Sequence, residues 1–145
     1  MKRITVLLAD DSEPLRAEIR KTLEREADLD VLGEANNGHE AVLMASGLRP
    51  SVILMDFEMP FMNGVEATRR ILEFAPATKI IMHSAHGEEP YVEAAINAGA
   101  VGYLVKPAAT DSLGKAIREA SRGNTFFSPS ISKNIQRKSP KTSGT

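Results

Sequence analysis

Short runs of apolar residues alternate with longer, partly polar segments along most of the chain. The runs are nearly continuous rather than alternating, which is typical of parallel strands that are covered on both faces of a sheet. They predict five strands, at Ile4–Ala9, Val31–Ala35, Val52–Met55, Lys79–His83 and Val101–Val105. The second run is interrupted by Gly33 and Glu34. It is therefore expected to form a strand at the edge of the sheet.

The segments between these runs have apolar residues at intervals of three and four positions, as amphipathic helices do. They predict five helices, whose apolar stripes are Leu15, Ile19 and Leu23; Ala41, Met44 and Ala45; Val65, Thr68, Ile71 and Leu72; Val92, Ala95 and Ile96; and Leu113, Ala116, Ile117 and Ala120. Ser12 is suited to cap the first helix, and Gly99 to end the fourth. The second helix is expected to begin at Asn37, the third after Asn63–Gly64 and the fifth near Thr110.

The alternation of strand and helix predicts an α/β domain with a (βα)5 doubly wound parallel sheet and right-handed crossovers. We expect the flavodoxin-like strand order 2-1-3-4-5. The pattern ends at Gly123, and residues 124–145 are rich in Ser, Pro, Lys and Thr. We therefore assign residues 1–123 to the domain and residues 124–145 to a basic, flexible linker or tail.

Composition narrows the function further. The 145 residues include no cysteine, which excludes a disulfide framework, a thiolate metal site and a cysteine nucleophile. The apolar run Ile4–Ala9 ends at Asp10–Asp11 and is too short for a signal-peptide core or a membrane span. We expect a cytoplasmic protein that has no membrane partner.

The net charge of −1 hides an asymmetry between the two ends of the chain. All acidic residues lie at or before Glu119, so the first 119 positions carry a charge of −6 and the remainder carries +5. An acidic domain is a poor nucleic-acid binder. We interpret the basic tail as a solvated linker, although contact of this tail with DNA is the alternative.

Charged residues follow three of the predicted strands. Asp10–Asp11 follows the first, Asp56 the third and Lys106–Pro107 the fifth. Ligands of open α/β sheets bind at these carboxyl ends. Converging carboxylates repel one another, and Mg²⁺ relieves that repulsion. An Asp after a strand is more often a turn or capping residue, so each residue alone is weak evidence, and the set carries the prediction.

Four segments resemble the signature blocks of two-component response regulator receiver domains, the chemotaxis-regulator-like family. They are Val6–Asp11, Leu54–Gly64, Ile80–Ala85 and Gly102–Pro107, in the family's order and spacing. The stretch Gly123–Pro129 resembles the connection to LuxR-type helix-turn-helix output domains. The resemblance implies that the output is regulation of transcription. It also implies that contact with DNA would come only through an output domain outside this sequence.

The resemblance also implies a metal site. Asp11 and Asp56 would ligate Mg²⁺ directly, together with the backbone carbonyl of Glu58, and Asp10 would act through a metal-bound water. Asp56 would accept the phosphoryl group from a histidine kinase or a phosphotransfer protein. The domain would be a signalling module that phosphorylates itself and slowly dephosphorylates, rather than an enzyme.

Further roles follow from the same resemblance. Lys106 would pair with the phosphoryl group, and a cis Lys106–Pro107 bond would direct its ammonium towards Asp56. The Ser84 hydroxyl would hydrogen-bond to the phosphoryl group. Ser84 and Tyr103 would form the switch, and the face of the fourth helix, fifth strand and fifth helix would contact a partner or a second copy. Glu58 and His86 would flank the path of the hydrolytic water, although His86 alone is interpreted as a solvent-facing loop residue.

Two other functions remain open. A stand-alone receiver would act through protein–protein contacts or a phosphorelay. The sequence Asp56–Phe57–Glu58 also resembles the Asp-x-Asp of aspartate-nucleophile phosphatases, but that family places its nucleophile after the first strand and needs Asp at the position of Glu58.

Overall fold

The computed structural model describes residues 2–108 and 110–131. In this part of the chain, strands and helices alternate as the hydrophobic pattern predicts. Their bounds are β1 Ile4–Ala9, α1 Glu13–Glu24, β2 Leu29–Ala35, α2 Gly38–Leu48, β3 Val52–Met55, α3 Gly64–Phe74, β4 Lys79–Ser84, α4 Glu89–Ala98, β5 Gly102–Val105, α5 Thr110–Ser121 and β6 Phe126–Phe127.

The strands form one parallel sheet of order β2-β1-β3-β4-β5-β6. The predicted order 2-1-3-4-5 is confirmed, and β2 lies at the edge as expected. Ala9, the last residue of β1, pairs with Ala35 of β2 and with Met55 of β3. Because these strand ends are level, the residues that follow β1 and β3 lie side by side at one edge of the sheet.

Helices cover both faces of the sheet because successive strand residues point to opposite sides. Val6 and Leu8 pack with α1 and α5, whereas Leu7 and Ala9 pack with α2, α3 and α4. All four side chains are buried. Burying a side chain of the size of Leu contributes about 1.5–3 kcal/mol, so these rows fix the strand register and the position of the site above it.

Local capping interactions fix where the helices begin and end. Ser12, Asn37 and Asn63 each accept a hydrogen bond from the backbone N–H three residues further on, at 3.3, 2.8 and 2.9 Å. Gly99 ends α4 in the left-handed region, with φ 111°. The predicted roles of Ser12 and Gly99 are confirmed, and the Asn63 cap holds the loop between β3 and α3.

The sheet continues past the predicted domain end. Phe126–Phe127 pairs with β5 as a sixth strand, and Ile131 is buried in the core on the α2–α4 side. We expected linker from residue 124 onward. Two strand residues are too few to show a hydrophobic period, and the surrounding Ser and Pro conceal them. Residues 132–145, which the prediction also assigns to the linker, lie outside the described residues.

Two smaller differences concern residues at the margins of elements. Ile96 is 41% exposed, and α4 buries Ala98 instead, together with Val92 and Ala95. Strand β2 begins at Leu29, two residues earlier than predicted. Among the described residues, no helix has the length and apolar character needed to cross a bilayer.

Candidate functional site

Backbone hydrogen bonds beyond the strand ends position the acidic residues. The N–H of Asp10 donates to the carbonyl of Ala35 at 3.0 Å, and the N–H of Asp56 donates to the carbonyl of Ala9 at 2.8 Å. Each bond continues a strand ladder by one residue. The two carboxylates are therefore held by the rigid sheet rather than by a loop.

The predicted acidic cluster is present. Asp10, Asp11 and Asp56 each offer a carboxylate oxygen, and these oxygens lie within 4.8 Å of one another. Asp10 and Asp56 are buried, at 4% and 6% exposure, whereas Asp11 is exposed. Burial, followed by the negative charge of Asp10, raises the pKa of Asp56 from 3.8 to about 6. Three hard oxygen donors on one open side fit a divalent cation such as Mg²⁺.

Lys106 brings positive charge into the cluster. Its Nζ lies 2.8 Å from an oxygen of Asp10 and 3.3 Å from an oxygen of Asp56. Burial alone would lower the pKa of Lys106, but the hydrogen bond to Asp10 and the charge of Asp56 outweigh it, so the pKa is raised. The ammonium therefore stays charged at neutral pH. The Lys106–Pro107 bond is cis, which confirms that prediction.

Ser84 and Tyr103 meet beside this cluster. Ser84 ends β4, is 1% exposed, and accepts the N–H of His86 on its Oγ at 3.1 Å. Tyr103 is fully buried and donates its hydroxyl to the backbone carbonyl of His86. Burial raises the pKa of Tyr103, and a hydrogen bond from Ser84 opposes that effect. The aromatic ring thus lies inward, in contact with the predicted switch serine.

His86 is in direct contact with Glu58, whereas the resemblance predicted only that both residues flank the path of the hydrolytic water. Its Nε2 contacts a carboxylate oxygen of Glu58, and its ring stacks on Tyr91 with centroids 4.5 Å apart. Phe57 packs edge-on against the same tyrosine at 5.2 Å. The histidine lies in the loop after β4 and is 35% exposed, so it faces solvent in part, as expected, while one ring nitrogen contacts Glu58. Each residue lies two positions after a site residue, Glu58 after Asp56 and His86 after Ser84, and this shared offset is what placed both beside the site in the prediction.

A glycine allows the loop after β3 to close over its own backbone. The N–H of Gly64 donates to the carbonyl of Phe57 at 2.8 Å. A Cβ at Gly64 would lie 2.2 Å from the carbonyl oxygen of Asp56, far inside contact distance. No larger residue fits here without moving the segment that carries the acidic side chain.

Comparison with known proteins agrees with this geometry. The family model described as the response regulator receiver domain matches residues 6–118. The chain belongs to this family. Its receiver resembles that of the transcriptional regulatory protein YxjL of Bacillus subtilis, at 42% identity over 86% of this chain and 57% of that protein.

Solved structures show the same likeness. A LuxR-family two-component response regulator from Aurantimonas sp. superposes with a TM-score of 0.89 at 29% identity, covering 94% of this chain and 98% of that one. The response regulator domain of Thermotoga maritima CheB superposes with a TM-score of 0.77 at 33% identity, covering 83% and 98%. The chain spans little more than half the length of YxjL.

Proposed function

We propose that Asp56 accepts a phosphoryl group from a phosphohistidine of a partner kinase or phosphotransfer protein. The observation that carries this proposal is the position of Asp56. Its carboxylate is buried, lies 3.3 Å from the Lys106 ammonium and is close to the carboxylates of Asp10 and Asp11. A fixed carboxylate with a cation on one side and a metal-binding cluster on the other is what an in-line phosphoryl transfer requires.

The side chains divide the work of the transfer. An Asp56 oxygen forms a bond to phosphorus while the phosphorus–nitrogen bond of the phosphohistidine breaks. The electron pair of the broken bond remains on the imidazole of the partner protein. Lys106 neutralises phosphoryl oxygens, and Ser84, whose Oγ accepts from the N–H of His86, donates its proton to one of them in place of the Tyr103 hydroxyl.

The acidic cluster would hold the cation. Asp11 and Asp56 would ligate Mg²⁺ directly with the backbone carbonyl of Glu58, and Asp10 would act through water. The bound Mg²⁺ would supply positive charge that offsets the negative charge of the phosphoryl group. An Asp10 oxygen already accepts a hydrogen bond from the Lys106 ammonium at 2.8 Å. This supports binding of Asp10 to the cation through water rather than directly.

We further propose that the phosphoryl group acts on Ser84 and Tyr103 to reshape the face of α4, β5 and α5. That face would contact a partner or form a homodimer, and the whole protein would control transcription from the cytoplasm through an attached DNA-binding output domain. A stand-alone receiver in a phosphorelay is the alternative. In either case the domain would be a self-phosphorylating and slowly self-dephosphorylating signalling module rather than an enzyme.

One observation argues against the aspartate-nucleophile phosphatase. In that family the residue two positions after the nucleophile is an acid/base carboxylate. Here Glu58 occupies that position and its carboxylate is paired with the His86 ring. A carboxylate held by a histidine at the mouth of the site is poorly placed to give a proton to a leaving group.

The direct test is mass spectrometry after treatment with acetyl phosphate and Mg²⁺. We expect a single phosphoryl group that is stable to acid and labile to base, absent from Asp56→Asn and retained in Asp111→Asn, which removes an exposed carboxylate of α5. Labelling of the Asp56→Asn variant to the wild-type extent would refute the assignment.

The switch has its own test. Beryllium fluoride with Mg²⁺ should shift the NMR signals of Ser84, Tyr103 and the segment 89–99, because the added acceptor competes for the Ser84 hydroxyl. A Tyr103→Phe variant, which loses the hydroxyl but keeps the ring, serves as control. Unmoved signals in a protein that is phosphorylated on Asp56 would refute the coupling and leave the acceptor assignment intact.

A further inference from the structure

Arg16 reaches from α1 to the main chain of the acidic cluster. Its Nη1 donates a hydrogen bond to the backbone carbonyl of Asp10, and its Nε donates to a carboxylate oxygen of Glu34 in β2 at 3.1 Å. The arginine side chain is only 11% exposed, so both bonds are largely shielded from water. Because both donors belong to one planar guanidinium, the two bonds fix its orientation as well as its position.

The carbonyl that Arg16 binds belongs to the peptide that joins Asp10 to Asp11. The rest of Asp10 is held by other groups, since its N–H donates to Ala35 and one carboxylate oxygen accepts the N–H of Ser12 at 2.8 Å. The bond from Arg16 adds the constraint that keeps this peptide from rotating. Asp11 is exposed, so the direction of its carboxylate depends on the main chain that carries it. Arg16 therefore acts on Asp11 through the backbone.

Glu34 holds Arg16 in this position and shares its carboxylate with a second arginine. One oxygen accepts from Arg16, and the other accepts from Nη1 of Arg20 at 3.0 Å. The remaining hydrogen bonds of Arg20 go to the Glu24 side chain at 3.1 Å and to the backbone carbonyl of Val31 at 3.4 Å. Arg20 thus has the same charge and the same carboxylate partner as Arg16, but its bonds lead to α1 and β2 and not to the acidic cluster.

We propose that Arg16 is a positioning residue for Mg²⁺ binding, because it holds the Asp10–Asp11 peptide and so keeps the Asp11 carboxylate beside that of Asp56. This role rests on the metal site of the proposed function. Groups that orient metal ligands typically contribute about 10-fold to 100-fold to metal affinity. The charge of the guanidinium has the opposite effect, because a cation near the site repels Mg²⁺. The sign of the change in affinity therefore separates positioning from charge.

The test is titration of the 145-residue protein with Mg²⁺ in the absence of a phosphodonor, followed by the NMR amide signals of Asp11 and Asp56. Arg16→Lys keeps the positive charge, but its single ammonium cannot reproduce the two-pronged contact with Asp10 and Glu34. Arg16→Gln removes the charge. We expect both variants to bind Mg²⁺ roughly ten-fold more weakly than the wild-type protein. The same two substitutions at Arg20 are the matched controls and should leave the affinity unchanged.

Urea unfolding in EDTA measures the stability that each variant loses without metal, and Arg16→Lys, the milder change, carries the test if Arg16→Gln does not fold. Wild-type affinity in Arg16→Lys, or tighter binding by Arg16→Gln, as loss of a repelling charge alone would give, would overturn the positioning role and leave the metal site intact. Equal weakening by the Arg20 variants would overturn it as well. Absence of saturable Mg²⁺ binding by the wild-type protein would refute the metal site itself, and with it the role of Arg16.

Discussion

Replacing Asp56 by Asn should stabilise the metal-free protein at alkaline pH. The Asp56 carboxylate is buried, and it lies in the same cluster as Asp10 and Asp11. Asn keeps the shape of the side chain and removes its charge, so it resembles the protonated acid. The variant therefore reports what the ionised carboxylate costs the fold when no cation is bound.

The magnitude follows from the pKa of Asp56, which rises from 3.8 to about 6 on folding. A raised pKa means that the folded protein binds the proton more tightly. The contribution of Asp56 to the stability is therefore fully present below pH 3.8 and is lost as pH rises through about 6. Each pKa unit corresponds to about 1.4 kcal/mol, which gives a cost of about 3 kcal/mol above pH 7. We expect Asp56→Asn to recover most of this at pH 8 and little at pH 4.

Urea unfolding in EDTA at pH 4, 6 and 8 measures the difference directly. Asp30→Asn, which removes a carboxylate from half-buried β2 outside the cluster, is the matched control and should show no comparable rise with pH. If Asp56→Asn were no more stable than the wild-type protein at pH 8, or if its advantage were the same at pH 4, the electrostatic reasoning about this site would be wrong.

Three further predictions use unfolding measurements, the first of them without EDTA. Mg²⁺ at ten times its dissociation constant should add about 1.4 kcal/mol by mass action, and Asp11→Ala should lose most of this gain; a melting temperature that is unchanged by millimolar Mg²⁺ would refute the metal site. Gly64→Ala places a Cβ 2.2 Å from the main-chain oxygen of Asp56 and should lower the free energy of unfolding by at least about 1–3 kcal/mol. Gly47→Ala is the control, because a Cβ there meets no atom within 4 Å and should not destabilise the fold. Arg118 lowers the pKa of Asp28 by hydrogen bonding, so Arg118→Ala should reduce the free energy of unfolding by roughly 1 kcal/mol at pH 7. This loss should disappear as pH falls through the lowered pKa of Asp28. Equal losses at pH 7 and pH 2 would contradict this reasoning.

The elements that the sequence predicted best are those whose residues repeat one pattern over several positions. β1 and β3 have the bounds that their apolar runs predicted, because β3 is buried and apolar throughout and β1 is so from Val6 to Ala9. The residues of β6 are only half-buried. A two-residue strand gains its place from pairing with β5, which is a tertiary contact that no local pattern records.

The site shows the same division. The ends of β1 and β3 fix where Asp10 and Asp56 lie, so the strand order brought these two together in the prediction. The pairing of Lys106 with the phosphoryl group came from the family resemblance. The contact between Glu58 and His86 joins two loops, and it depends on side-chain directions at positions where any polar residue would satisfy the pattern.

The hydrogen bonds at the switch limit how strongly phosphorylation can act. Ser84 has one hydroxyl proton, and either the Tyr103 hydroxyl or a phosphoryl oxygen can receive it. The backbone of His86 binds both side chains, giving its N–H to Ser84 and accepting from Tyr103, so a change at either one is felt in this loop. The free energy that the phosphoryl group can transmit is therefore the difference between a few hydrogen bonds, on the order of 1–3 kcal/mol, or a shift of about 5-fold to 150-fold between two states. A shift of that size alters the balance of two populated conformations, and it follows that the inward position of Tyr103 belongs to the unphosphorylated protein as well.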